Sequence, residues 1–522
     1  MTHISICKGS KATVAIVVPP VVVHHLDPHT GIPFMPHTAA YLAAMIDIAG
    51  YRVQVLDCFG MQPNQRQVVG EFMLLGITED WIAEHIDAEV AVCFVYCRTM
   101  AEFIAIERIV SAIKRIRPDI TICLFENVQA VTSFSLRNVA KRFLNKKCDM
   151  LMMGEPENRA ASIIEHLNDD GLRDIPGLAY RNAHGKIVFT SDAPLERGLD
   201  QLPFPAWELF PLQGYWIAGF AHAPCGKARF LPLLTSRGCP FKCSFCLAPF
   251  VNSKWRSRSA KNVVDEMEYF FDTMDITDFH VSDLNPTVNE KRIQDICREI
   301  IERKLQVTWK LAQGTKIETI RNEKTLELMA EAGCRFIAFS PETGSKKLLK
   351  TVKKSFDHEY GLRMARKMVS LGINVQACFL AGLPEETADD QRQTLEYAKK
   401  LVKLGVDEIS CYIFTPVPGS ELSQSIKGFR HFSQCTPSPN WRADYDDLTR
   451  FRFKMYRTYF LYKLLYPFKV LREIKGLLTG QYETKMAMSV FKQLKFVLLR
   501  HCPWLFRKLD PAAMHLRKIK KT

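Results

Sequence analysis

The chain contains no run of roughly 18 uncharged apolar residues, the length a membrane-spanning helix needs, so no segment reads as transmembrane. The stretch Ala12 to Val23, behind Lys8 and Lys11, imitates a secretory leader. Pro19-Pro20 and His24-His25 stand where a small-residue cleavage site belongs, and a buried strand is the better expectation. Cysteine is sparse: 16 in 522 residues lies far below the density of a disulfide scaffold. Most cysteines sit singly in apolar runs (Cys93, Cys123, Cys378, Cys411), where a reduced thiol acts as a small hydrophobe. A reducing, cytoplasmic setting is therefore expected. No G-x-G-x-x-G opens a helix after the first strand-like run, which argues against a dinucleotide. Basic charge is also missing from most of the chain. The net charge of +14 is concentrated after residue 449, where 18 Lys and Arg face three Asp and Glu. The preceding part is nearly neutral, 52 against 53, and offers no basic groove for nucleic acid.

What is present begins with length. A chain of 522 residues, 47% hydrophobic and 24% charged, predicts a globular protein of two or three domains. β-branched runs at 12–18, 52–57, 90–96, 120–125 and 149–153 alternate with helical stretches at 38–50, 101–116 and 132–143. That pattern predicts an α/β fold with a doubly wound parallel sheet and a ligand at the carboxyl ends of its strands. Six further strand-like runs (230–236, 278–282, 307–312, 335–340, 375–380 and 408–414) alternate with helices. They predict a partial (β/α)6 barrel, two units short of a closed one, with active residues at the strands' carboxyl ends. The expected organisation is a sandwich domain over 1–170, a connector over 171–224, the barrel over 225–440 and a basic helical region over 441–522.

The most informative residues are Cys239, Cys243 and Cys246, in the run S-R-G-C-P-F-K-C-S-F-C. Three thiolates spaced C-x3-C-x2-C hold three irons of a [4Fe-4S] cluster and leave the fourth open. A structural zinc site wants four ligands, usually in two separated pairs, and the nearest other cysteines, Cys225 and Cys297, form no second pair. No second cysteine cluster follows residue 246, so an auxiliary iron-sulfur domain is not expected.

With this motif behind a doubly wound sheet, the chain resembles the cobalamin-binding radical SAM enzymes, which include class B methyltransferases and anaerobic magnesium-protoporphyrin monomethyl ester cyclase-like proteins. Residues 149–157, ending in G-E-P-E, look like the family's last sheet strand and turn, and 175–181 and 199–207 look like its connector. The resemblance implies three cofactors: a [4Fe-4S] cluster, S-adenosylmethionine (SAM) and cobalamin. It places Ser340 and Glu342, after the fourth barrel strand, on the ribose and amino groups of SAM, and Gly382, after the fifth, against the adenosine. Glu266 and Asp283 are further candidates, although Asp265 and Glu266 read equally as a solvated helix face. Arg256 and Arg258 read either as partners of the cofactor carboxylate or as surface ion pairs. Two departures stand out. Asp27-Pro28-His29-Thr30-Gly31 carries only the start of the D-x-H-x-x-G motif, so His29 reads as a loop residue and not as a cobalt ligand. Glu126-Asn127-Val128-Gln129-Ala130 replaces the glycine-rich turn after the fourth strand, and Glu385 replaces a glycine in the turn 381–387.

The resemblance implies methylation of an unactivated carbon of a hydrophobic or natural-product-like substrate, lipid-like or porphyrin-like in character, through a 5′-deoxyadenosyl radical and methylcobalamin. An external electron donor of the flavodoxin or ferredoxin type is the expected partner. The alternatives are ring formation or rearrangement without methyl transfer and, in another class, a cobalamin-binding sensor without turnover. In the tail, Met455, Tyr456, Tyr459, Phe460 and Leu464 recur at helical spacing among basic residues, Pro467 breaks the helix, and a second amphipathic stretch covers 486–499. This reads as a lid on the barrel or as a peripheral contact with an anionic membrane, at its inner face.

Overall fold

The structure is a computed structural model and describes residues 13–24, 30–130, 133–145, 148–167, 169–219, 221–225 and 229–490. The opening strand β1 (Thr13–Val18) is buried along its whole length, as a parallel strand covered on both faces must be. It pairs in parallel with β2 (Arg52–Asp57) and β3 (Val92–Cys97), and β4 (Thr121–Glu126) and β5 (Met150–Met152) extend the sheet. Alternate residues serve opposite cores. Val14, Ile16 and Val18 share one with helix α1 (His37–Ile48), whereas Ala15 and Val17 share the other with α2 (Phe103–Ile116) and α3 (Leu136–Leu144). The strand order 2-1-3-4-5 reverses at β1/β3, the switch point where such a sheet leaves a crevice at its carboxyl edge.

Two features exceed the expectation. The stretch read as a connector supplies β6 (Leu178–Arg181) and β7 (Ile187–Phe189), which add antiparallel to the β5 edge. Leu178 and Ala179 are fully buried there, so this part of the connector is sheet. Directly after Pro19-Pro20 the chain also forms a small antiparallel sheet from Val21–His24, Arg66–Val69 and Phe72–Leu75.

The barrel is the expected one. Strands β8 (Leu231–Leu233), β9 (Asp278–Val281), β10 (Thr308–Thr315), β11 (Cys334–Glu342), β12 (Asn374–Ala381) and β13 (Glu408–Ile413) pair in parallel in chain order. Helices α4 (Ala260–Met274), α5 (Glu290–Glu302), α6 (Glu323–Glu331), α7 (His358–Ser370) and α8 (Ala388–Lys403) intervene. Strands β8 and β13 do not pair with each other, so the barrel is open on one side.

Helix α9 (Tyr445–Lys463) packs against α8 and β13. Its Lys463 ammonium donates to the Asp407 carbonyl at 2.9 Å, and the Tyr459 hydroxyl donates to the same oxygen at 2.5 Å. Helix α9 ends at Lys463, ahead of Pro467 as expected, and Pro467 then opens α10 (Pro467–Thr479), because proline at the first helical position removes an N–H that has no intrahelical partner anyway. Beyond α10 the chain crosses the open side of the barrel. Met486 N–H donates to Glu408 Oε2 (3.1 Å) beside β13, and Tyr482 N–H donates to the Cys225 carbonyl (3.1 Å) ahead of β8. Most of the stretch expected over 486–499, and His29, lie outside the described residues.

Candidate active site

The cysteine loop leaves β8 and is shaped by its glycine. Gly238 sits at φ +83°, and a Cβ there would come within 2.3 Å of the Lys254 carbonyl oxygen, so only glycine fits. Backbone bonds then set the three thiols: Cys239 N–H donates to the Asn252 carbonyl (3.0 Å), Ser244 N–H to Val352 (3.0 Å) and Cys246 N–H to Cys243 (3.1 Å). All three side chains line one cavity of about 360 Å³. Burial pushes the thiols of Cys239 and Cys243 up and that of Cys246 to about 12. A soft iron centre, which binds thiolate, offsets that desolvation. Lys354 and Lys316 add positive charge beside Cys239 and Cys243. The donor set suits an iron-sulfur cluster.

The cavity lies between the carboxyl edges of the two sheets. Its N-terminal wall comes from the β1/β3 switch point: Val21, Val22, Thr30, Gly31, Ile32, Thr99 and Met100. Its barrel wall includes Gln313, Ser340, Glu342, Leu380 and Tyr412. A small neighbouring cavity lined by His37, Tyr96 and Asn127 contains the buried His37 Nε2, which has no hydrogen-bond partner among the described residues. Burial and the charges of Arg237 and Arg98 lower the His37 pKa to about 3, so the ring is neutral. The apolar residues Val21, Val22, Ile32 and Met100 of that wall, with the neutral His37 ring and the Tyr96 hydroxyl beside them, fit a large amphipathic ring such as a corrin.

The structure brings Ser340 and Glu342 together with the cysteines. Glu342 holds φ +64°, a left-handed backbone that is costly for a non-glycine residue and typical of strained functional positions. It accepts a 2.5 Å bond from Lys354, so a buried ammonium already sits on the carboxylate expected to meet an amino group. The other candidates lie elsewhere. Gly382 does not line the cavity, and the place of its absent Cβ is taken by Leu448 and Arg442. Glu266 is buried against Arg258. Asp283 accepts from Thr235 N–H (2.7 Å) and from the hydroxyls of Thr235 (2.6 Å) and Ser236 (2.5 Å), which fixes the end of the first barrel segment. Arg256 grips Glu155 with two 2.8 Å bonds, and Arg237 binds Glu157 at 2.7 Å. Both carboxylates belong to the G-E-P-E turn after β5, so that turn is an ion-paired clamp between the sheet and the cysteine loop. The segment without the expected glycines clamps it too: Gln129 Oε1 accepts from Gly238 N–H (3.5 Å) and the Val128 carbonyl from Asn252 Nδ2 (3.4 Å). Glu385, in place of a glycine, sits at φ +64°. Sequence reasoning missed Lys354, Gln313, Tyr412 and Lys485, which also line the cavity; none carries a local motif.

Residues 233–398 match the family model of the radical SAM superfamily. The chain carries a radical SAM domain. It is an enzyme domain of the kind the cysteine spacing indicates. Among curated relatives, cytidylyl-2-hydroxyethylphosphonate methyltransferase of Streptomyces wedmorensis is 28% identical over 74% of this chain and 77% of its own length. The anaerobic magnesium-protoporphyrin IX monomethyl ester cyclase of Rubrivivax gelatinosus is 29% identical over 64% of this chain, which spans 60% of that protein. Among solved structures, the radical SAM methyltransferase TsrM of Kitasatospora setae, with cobalamin and a [4Fe-4S] cluster bound, superimposes with a TM-score of 0.61 at 18% identity. It covers 80% of this chain and 77% of its own. The chain thus shares its overall fold with that protein.

Proposed function

We propose that this protein is a cobalamin-dependent radical SAM C-methyltransferase acting on an unactivated carbon. The observation that carries the reading is the single cavity onto which Cys239, Cys243 and Cys246 and the β1/β3 switch point both open. When bound, the cluster and SAM supply a hydrogen-abstracting radical, and cobalamin supplies a transferable methyl group. The chain's own work is placement. The three cysteines hold the cluster, and Glu342 and Ser340 stand ready for SAM. Exchange of Lys354 for the incoming amino group releases Glu342 for it. Val21, Val22, Ile32, Met100 and Leu380 keep water from the reacting carbon. A sensor without turnover has no use for three thiols on a cavity wall. Anaerobic expression with cobalamin, followed by metabolite mass spectrometry, tests the reading: products heavier by one CH2 are expected. Products that gain no CH2, whether isomeric with the substrate or changed only in hydrogen and oxygen content, select the ring-forming or rearranging reading that the Rubrivivax similarity favours.

The proposal includes a cytoplasmic enzyme, reduced by a flavodoxin- or ferredoxin-type donor, that rests on an anionic membrane surface. Among the described residues no helix is long and apolar enough to cross a membrane. Met455 and Tyr459 of α9 are fully buried against the barrel. The outward face instead carries Phe453, Phe460, Leu461, Leu464, Leu465 and Phe468, the last 85% exposed. An exposed apolar stripe on a basic region fits the headgroup layer of an anionic bilayer. Co-sedimentation with anionic liposomes should weaken with salt and be lost when Phe460, Leu464 and Phe468 become serine. Equal binding by that variant, or equal binding to neutral vesicles, rejects the membrane contact.

A further inference from the structure

The segment that crosses the open side of the barrel brings one charged side chain into the cavity. Lys485 lines the same space as the three cysteines, together with Gln313, Cys378 and Tyr412. Its Nζ donates to the Ala312 carbonyl in β10 at 2.9 Å and stands 5.7 Å from the centre of the Phe336 ring. No carboxylate lies within ion-pair distance of it among the described residues. Glu408 acts on it from farther away. That carboxylate is already committed, accepting from Gln376 Nε2 (2.6 Å), the Ser410 hydroxyl (3.2 Å) and Met486 N–H (3.1 Å).

An ammonium has three donors, and among the described residues this one makes a single hydrogen bond. A cation removed from water without a counter-charge is costly, and proteins retain one where a ligand completes it. Burial lowers the Lys485 pKa, which measures that cost. Ala312 lies partway along β10, Phe336 near the start of β11 and Glu408 at the start of β13. The ammonium therefore stands deep in the barrel, on the far side of the cavity from the strand ends that carry Ser340 and Glu342.

Resting on the radical SAM reading above, we infer that Lys485 is the substrate anchor of this enzyme, a deep site for a carboxylate or phosphate group. The anion pairs with the ammonium while the rest of the molecule extends toward the cysteines, which aims one carbon at the reactive end. Specificity for the charged group is thereby assigned to a segment outside residues 233–398, the part that matches the superfamily.

The test uses the full chain and two probes, butyl phosphate and hexanoate, with 1-butanol as the uncharged control. Binding is read by ligand-observed NMR, without turnover. Wild-type protein should bind at least one anion and not the alcohol, and the better anion identifies the class. Lys485→Gln should weaken that binding tenfold or more, and Lys485→Arg should keep it within a few-fold. Because no cluster is needed, failure of the radical chemistry leaves this result standing. A second measurement covers a variant that does not fold: acetylation of Lys485 in wild-type protein, followed by peptide mass spectrometry, should slow when the bound anion is present. Equal anion binding by Lys485→Gln, no anion binding by wild type, or unprotected acetylation would overturn the anchor.

Discussion

The two large sheets face the same cavity and furnish it differently. At the carboxyl edge of the N-terminal sheet, the lining is mostly apolar or small (Val21, Val22, Gly31, Ile32, Met100), and the buried His37 beside it is neutral. The barrel edge presents thiols, Glu342, Lys354 and Lys316, and the segment after α10 adds Lys485 from the barrel's interior. In the proposed function the first wall receives the large ring and the second holds the reactive centre. The difference follows from connectivity. A doubly wound sheet opens a crevice only where its strand order reverses, whereas a sequential barrel turns every strand end toward one axis and can collect charged residues from all of them.

The largest effect should come from the barrel wall. Anaerobically reconstituted protein is expected to hold about four irons. Replacing Cys239, Cys243 or Cys246 with Ala should abolish reductive cleavage of SAM, and the triple variant should lose nearly all iron. Full iron in the triple variant would erase the division of labour between the walls.

Next comes the clamp between them. Arg237 and Glu157 are both almost fully buried, and breaking such a pair costs about 3–5 kcal/mol; Glu155, 3.8 Å from Arg237, keeps part of the charge paired, so the lower figure is expected. Glu157→Gln should lower the denaturation midpoint accordingly. Arg237→Met combined with Glu157→Leu should recover much of the loss. If the single change is neutral, the G-E-P-E turn is not the joint between the sheets.

The neutrality of the N-terminal wall has a pH signature. His37 titrates near 3 in the folded chain against an ordinary value of 6.5. The unfolded chain therefore binds the extra proton between these values, and stability falls as pH drops through that window, by up to about 1.4 kcal/mol per pH unit. Above pH 6.5 the group contributes no slope, and below about 3 the loss levels off. Urea unfolding of wild type and His37→Gln across this range should show a shallower acid limb in the variant. Parallel limbs would mean that the ring is charged or exposed.

The smallest effect concerns the turn at Glu385. A non-glycine residue at φ +64° carries roughly 1–2 kcal/mol of backbone cost, part of which returns as added freedom of the unfolded chain when glycine is substituted. Glu385→Gly should raise the melting temperature slightly and leave SAM cleavage unchanged. A fall in activity would instead bring this side chain into the site.

Local pattern carried much of this protein. The continuous β-branched run of β1, the alternation of strands with amphipathic helices and the thiol spacing at 239–246 are short-range regularities, and they determined both sheets and the cluster loop. Pro467 shows how thin such signals are, since the same residue that stops a helix also starts one. Side chains whose partners lie far along the chain were not legible. Glu266, Asp283, Arg256 and Arg258 have the chemistry of cofactor ligands, yet each is taken by a protein partner. The partner of Arg256 is Glu155, 101 residues away. The same holds for the strands at 178–189, which become sheet only because the β5 edge is there to receive them, and for Lys485, which lines the cavity because the tail crosses a barrel left open between β8 and β13. Hydrogen bonding and side-chain periodicity act over a few residues, so sequence alone determined the elements. Desolvation and charge pairing act between whatever surfaces the fold brings together, so only the tertiary structure decided which polar groups were left free to meet a ligand.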